Sequence, residues 1–417
     1  MASFSFGSGN AAKLLRIPLY LAGRIGTLLV PRGERWVFGC GAGIGDGALA
    51  LHRLATDEGH ATLWLTASDR EDRDAAALGL RTVRKGGLRG WWATARAGVV
   101  VVTHGLGDVN RYAIPGAFVV QLWHGIPLKR IGLDSPATTQ VPQVPGAPVL
   151  RRLIGILYRR AAQRIRVLPA ASHRSRGRLE SAFALGADRV VVTGEPRVDV
   201  LSAGSSAQRR ATASALLSGA AGPIAPSTRT ILYAPTWRDG AADPAVPSAV
   251  QWVEIIRALE QRDAVLLVRS HPLGEGSYAP PLPSTRVRML GAGLLADVTP
   301  VLPAVDVLIT DYSSLAYDVG LLAMPVLYLA PDADEYARTR GFYGRFRDVA
   351  GDDAAGDWQA LLAQLTAVLD DDGVFAARSK RSATLSAEMH AFRDGGNTRR
   401  VYETIRARGI PAPKGAV

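Results

Sequence analysis

The sequence predicts an α/β fold of two doubly wound units, one after the other, facing each other across a cleft. Three observations predict it. The chain has 417 residues, and at roughly 100–200 residues per domain that calls for two domains or three. Short valine-rich runs alternate with helical patterns in two separate blocks, the signature of parallel sheets covered on both faces. Between the blocks the pattern gives way to "SAGSSAQRRATASALLSGAAGPIAPSTR", a stretch of Ala, Ser, Gly and Pro that reads as a linker.

The elements follow in order. Residues 1–30 contain "KLLRIPLYLAGRIGTLL", apolar but interrupted by Arg16 and Arg24. No run approaches the ~20 residues a spanning helix needs, and the unbroken core of a signal peptide is missing. The segment is either an interfacial helix lying on an anionic bilayer or an ordinary packed helix. Residues 31–205 form the first unit, with strands in "RWVFGC", "ATLWLTA", "AGVVVVTHG", "AFVVQLWHG" and "DRVVVTGEPRVDVL". Residues 206–229 are the linker, and residues 230–395 the second unit, with strands in "TILYAP", "AVLLVRSHP", "VDVLITD" and "PVLYLAPD". Helices fall in "AVQWVEIIRALEQR" and "SSLAYDVGLLAM", and residues 396–417 form a C-terminal helix and tail.

Composition narrows the function. The net charge is +12 and the isoelectric point about 10.2, which favours anionic partners: a membrane surface, a phosphate-rich substrate or nucleic acid. Zinc-finger spacing, a basic zipper and RNA-recognition aromatics are all missing, so nucleic acid is not the expected partner. Nine arginines between 151 and 178 make either a solvated helix face or a patch for anionic lipid. The single cysteine, Cys40, excludes an intrachain disulfide. The acidic run at 370–372 follows a helical pattern and reads as a solvated helix end, not a metal site.

Chemistry is expected where strands end, because ligands of open α/β sheets bind outside the carboxyl edge. In the second unit, Thr236 and Arg238 follow one strand, Arg269 and His271 another, and Asp311, Ser313 and Ser314 a third. The two serines stand at a helix start, where backbone N–H groups and hydroxyls suit a phosphate; a simple helix cap is the alternative. Asp311 would repel a phosphate, so it either orients its loop or meets a substrate hydroxyl. Together these residues make a cationic, donor-rich pocket for a diphosphate. In the first unit His124 ends the matching strand. A neutral imidazole there takes a proton from an attacking hydroxyl, with Gly125 keeping the approach open and Lys129 holding an anionic acceptor. The alternative is a histidine bonded to a backbone carbonyl beside Trp123. The glycines of "FGCGAGIGDGALA" lack dinucleotide spacing and read as a tight strand-to-helix turn.

The segments "LWHGIPLKRIG", "TGEPRVDVL", "LYAPTWRDG", "RSHP", "VLITDYSSLAYD" and "RGFYGRF" occur in one order. Together they resemble the CDP-glycerol glycerophosphotransferases, the teichoic acid primases and polymerases. The resemblance implies a GT-B fold of two Rossmann-like domains, the C-terminal one holding the nucleotide. It implies a peripheral enzyme on the cytoplasmic face of a bacterial membrane. The donor is then a CDP-polyol, and the acceptor a polyprenyl-diphosphate-linked saccharide or a polyol-phosphate chain. His124 matches the family's general base; His271, Ser313 and Ser314 match its diphosphate ligands. Arg197 and Asp199 match a "PR.D" element, with either a functional or a structural role. No cofactor and no obligatory metal are expected. A nucleotide-sugar glycosyltransferase and a non-catalytic polyanion-binding protein are the alternatives.

Overall fold

A computed structural model describes residues 17–141, 145–238, 242–270 and 278–410. The chain divides into two compact units: residues 1–199 with 396–417, and residues 200–395.

The first unit is built on a seven-stranded parallel sheet: β1 (Trp36–Phe38), β2 (Thr62–Thr66), β3 (Thr82–Arg84), β4 (Val99–Val102), β5 (Phe118–Gln121), β6 (Ile165–Ala170) and β7 (Val190–Val192). Its order is β3-β2-β1-β4-β5-β6-β7, so the winding reverses between β1 and β4. The central strands are buried throughout, which is why they read as unbroken apolar runs. The pleat sends alternate residues to opposite cores. Trp36, Phe38, Val99 and Val101 enter one; Val37, Val100 and Val102 enter the other.

The second unit carries five parallel strands: β8 (Arg229–Ala234), β9 (Ala264–Val268), β10 (Val287–Met289), β11 (Val307–Thr310) and β12 (Val326–Tyr328). Their order is β10-β9-β8-β11-β12, with the reversal between β8 and β11. Thr310 lies opposite Ala234 in that central pairing, so both strands deliver their next residues to the same edge.

Two boundaries differ from the sequence reading. The supposed linker is mostly a helix, Ser206–Ala221, opened by a reciprocal cap between Ser205 and Gln208. Its Ala213 and Leu217 are buried in the second unit; small residues here serve close packing, not flexibility. The C-terminal helix Asn397–Ala407 is a working part of the first unit. Val401, Tyr402 and Ile405 join the core beside Trp36, and Tyr402 shares a 3.0 Å hydrogen bond with His60. Asp199 caps this helix, accepting from the backbone N–H of Asn397 and Thr398 and from the Thr398 hydroxyl at 2.6–3.0 Å. That assigns Asp199 a structural role. The acidic run ends one helix and starts the next: Asp371 caps Asp372–Met389, and Asp370 pairs with Arg262.

Candidate active site

In the first unit the reversal point places the ends of β1, β4 and β5 side by side. After β5 the chain turns sharply. Trp123 adopts φ +63° and Gly125 φ +137°, and a bulky residue held in the left-handed region costs of order 1–3 kcal/mol. That strain aims the His124 ring back at β4. Its Nδ1 lies 3.4 Å from the Thr103 carbonyl, which also accepts from Gln121 Nε2 at 3.0 Å. With Nδ1–H donating, Nε2 carries the lone pair. Burial pushes the ring's pKa down to about 4, the nearby cations Arg197 and Lys129 acting in the same direction. The imidazole is therefore neutral at pH 7 and ready to accept a proton. Arg197 is itself held at 2.9 Å by Glu195.

Three residues that the sequence reading missed follow the neighbouring strands β1 and β4. The His104 ring stacks on that of His124, centroids 4.2 Å apart and planes within 2°. Asp108 is buried, and its Oδ2 accepts the N–H of Thr103, His104 and Gly105 at 2.9, 2.7 and 3.2 Å. It fixes the backbone after β4; burial still pushes its pKa up to about 6. Asp46 opens the helix Asp46–Asp57 with φ +59°. A signal was present: "THG" and "WHG" end β4 and β5, which pair directly, so two His–Gly steps fall on one edge.

In the second unit the strand ends are tied by a buried ion network. Asp311, after β11, accepts from Thr236 N at 2.9 Å, Thr236 Oγ1 at 3.0 Å and Arg238 at 2.9 Å. Arg238 also grips Asp332 through two bonds of 2.6 and 2.9 Å. Its guanidinium lies 5.0 and 5.1 Å from the ring centroids of Tyr312 and Tyr336. Burial alone would lower the Arg238 pKa, but the carboxylates of Asp332, Asp311 and Asp243 hold it above its ordinary value.

This geometry corrects several expectations. Arg238 is 7% exposed and paired with Asp311 and Asp332, so its charge is spent on ordering the loops. Thr236 spends its hydroxyl proton on Asp311, and Asp311 orients the loop, one of the two roles expected of it. Arg269 donates to the carbonyls of Leu290, Leu295 and Ala296 at 2.7–3.1 Å, pinning the chain after β10. Ser313 and Ser314 are half-buried. Ser313 Oγ accepts from Leu315 N at 3.2 Å, which leaves its O–H as a donor, and Ser314 makes no capping bond. Their helix, Leu315–Val319, is a short one. His271 lies outside the described residues.

Residues 40–407 match the family described as CDP-Glycerol:Poly(glycerophosphate) glycerophosphotransferase. The chain belongs to this family. Among its glycerophosphotransferase relatives, a teichoic acid glycerol-phosphate transferase of Staphylococcus aureus is 29% identical over 56% of the chain and 57% of the relative. A teichoic acid poly(glycerol phosphate) polymerase of Staphylococcus epidermidis is 32% identical over 55% of the chain and 31% of the relative. The chain thus spans 57% of the first relative's length and 31% of the second's. The solved structure of the wall teichoic acid polymerase TagF superposes with a TM-score of 0.70 at 20% identity, covering 94% of each chain. The fold is GT-B, as expected.

Proposed function

We propose that this protein transfers a polyol phosphate, most simply glycerol phosphate, from a CDP-polyol to a hydroxyl of a membrane-linked acceptor. The observation that carries the reading is His124: a neutral ring, its Nδ1 fixed by the Thr103 carbonyl, at the end of a central strand. Its Nε2 takes the acceptor's proton. The acceptor oxygen then bonds the phosphorus nearest the polyol, and the bond from that phosphorus to the bridging oxygen breaks. CMP leaves with the electron pair. Ser313, Ser314 and His271 hold the diphosphate, and Lys129 and Gly125 lie on the acceptor side. Fixed donors stabilising developing charge are the main catalytic contribution in such chemistry, so no obligatory metal is invoked. The family relationship supports the CDP-glycerol assignment. CDP-glycerol at 100 times its Kd is expected to stabilise the protein by about 2.7 kcal/mol in a thermal-shift titration. A UDP-sugar that stabilises it while CDP-glycerol and CDP-ribitol do not would replace this reading with a glycosyltransferase.

The acceptor is a polyprenyl-diphosphate-linked saccharide or a growing polyol-phosphate chain, which requires docking at the cytoplasmic face of an anionic membrane. Among the described residues no helix is long and apolar enough to cross one. The helix Ile17–Leu29 supports peripheral docking. Gly23 packs so tightly that a Cβ would strike the Tyr112 carbonyl, while Leu19, Leu21, Ile25, Leu28 and Leu29 are exposed, the last 81%. The helix Ala147–Ala162 repeats the pattern. Val149, Leu153 and Ile156 form an exposed stripe at helical spacing, flanked by exposed Arg151, Arg152, Arg159 and Arg160. Apolar side chains entering the acyl boundary under a ring of cations suit an anionic interface. Sedimentation with phosphatidylglycerol vesicles should be strong for the full chain and largely lost in L28D/L29D. Equal sedimentation of both proteins would exclude this face.

A further inference from the structure

The glycine-rich turn after β1 is unexplained by the transfer reaction. It brings Cys40 and Asp46 to His104, and the Cys40 Sγ, an Asp46 carboxylate oxygen and a His104 ring nitrogen all lie within 4.8 Å of one another. We propose that these three side chains bind a zinc-class divalent ion next to His124.

The donor set is the first argument. Thiolate, imidazole and carboxylate in a group of three, with a fourth position open, match zinc and cobalt rather than magnesium or calcium. Donor atoms of a tetrahedral zinc site stand roughly 3.3–3.8 Å apart, so small side-chain rotations close this group onto an ion. The second argument is the support around it. Thr103 Oγ1 lies 3.2 Å from Cys40 Sγ as donor and 2.8 Å from His104 Nδ1. A hydroxyl that gives its one proton to sulfur accepts from Nδ1–H, and His104 then presents the Nε2 lone pair. One threonine thus orients two ligands, as outer-shell groups of metal sites do. The third argument is the backbone. A Cβ at Gly41 would come within 2.7 Å of the His104 side chain, and Gly43 has φ +107°. The glycines let the turn wrap closely around the imidazole. Burial and the carboxylates of Asp46 and Asp108 keep Cys40 protonated. The same carboxylates favour a dication, and the thiol proton leaves to solvent when the ion binds.

The consequence for activity rests on the base assignment for His124. Both stacked histidines turn Nδ1 to Thr103, so both Nε2 atoms face away from it. An ion on His104 Nε2 then lies beside the stacked His124 ring, centroids 4.2 Å apart, where its charge opposes protonation of His124 and so blocks proton transfer.

The test uses the purified full chain, reduced and stripped of metal, titrated with cobalt(II). A thiolate-to-cobalt charge-transfer band at one ion per chain is expected. It should vanish in Cys40→Ser, and the affinity should fall roughly 10- to 100-fold in Thr103→Val, which keeps all three donors. No band in the wild type, or unchanged affinity in Cys40→Ser and His104→Ala with native circular dichroism, would overturn the site. Zinc should inhibit CMP release from CDP-glycerol in the wild type and spare Cys40→Ser, whose zinc-free rate is unchanged. A cobalt band with undiminished CMP release in the presence of zinc upholds the ion site and overturns the blocking of the base. Absence of CMP release in every protein overturns the transferase reading and leaves the cobalt result standing.

Discussion

Replacing His124 with alanine is expected to lower CMP release from CDP-glycerol by roughly 100- to 10,000-fold, the worth of a placed general base. The fold should survive, because the ring makes one 3.4 Å bond to a carbonyl that Gln121 also serves. The pH profile carries a sharper expectation. A base depressed to about 4 by burial is unprotonated above that value and loses its lone pair only below it. The acid limb of kcat/KM therefore falls below about pH 5, not near the ordinary histidine value of about 6.5. Asp108, pushed up to about 6, titrates nearby; measuring the profile in Asp108→Asn separates the two. A limb near 6.5 in both proteins, or full activity in His124→Ala, would remove His124 from the reaction.

The second large effect is on stability. Asp311→Ala is expected to destabilise the second unit by about 3–5 kcal/mol, because it leaves the buried Arg238 charge with one partner fewer. It also strips the acceptor from Thr236 N and Oγ1. Denaturant unfolding followed by tyrosine and tryptophan fluorescence reports it. Arg238→Met should be milder than Arg238→Ala, since the methionine keeps contact with Tyr312 and Tyr336. A loss below about 1 kcal/mol for Asp311→Ala would mean the network is solvated and Arg238 is available to a ligand after all.

The comparison between sequence and structure divides along distance in the chain. Strands buried on both faces announce themselves: "AGVVVVTHG" contains β4 and "AVLLVRSHP" contains β9. β6 was hidden because Arg164 and Arg166 flank and enter it within the arginine-rich stretch. β3 and β10 are three-residue edge strands with partly exposed side chains, too short to set a period. At the candidate site, the role of His124 as base is a proposal, while its placement just beyond β5 was legible in the sequence. The fate of Arg238 was not, because its main partner, Asp332, stands 94 residues away. A strand-end cation looks the same in sequence whether it faces a ligand or a distant carboxylate. Arg269 fails for a related reason: its partners are carbonyls of a loop, and backbone acceptors leave no trace in residue type.

The helix Asn397–Ala407 closes a core that otherwise ends at Asp199. Synthesis therefore delivers every residue of the second unit before the first one has its last packing element. During that interval Trp36 and His60 lack the cover of Tyr402, and the nascent chain carries an open aromatic surface. The first unit therefore completes its packing only after the second has been made, and a chain cut short just after residue 395 has every residue of the second unit but lacks the helix that closes the first.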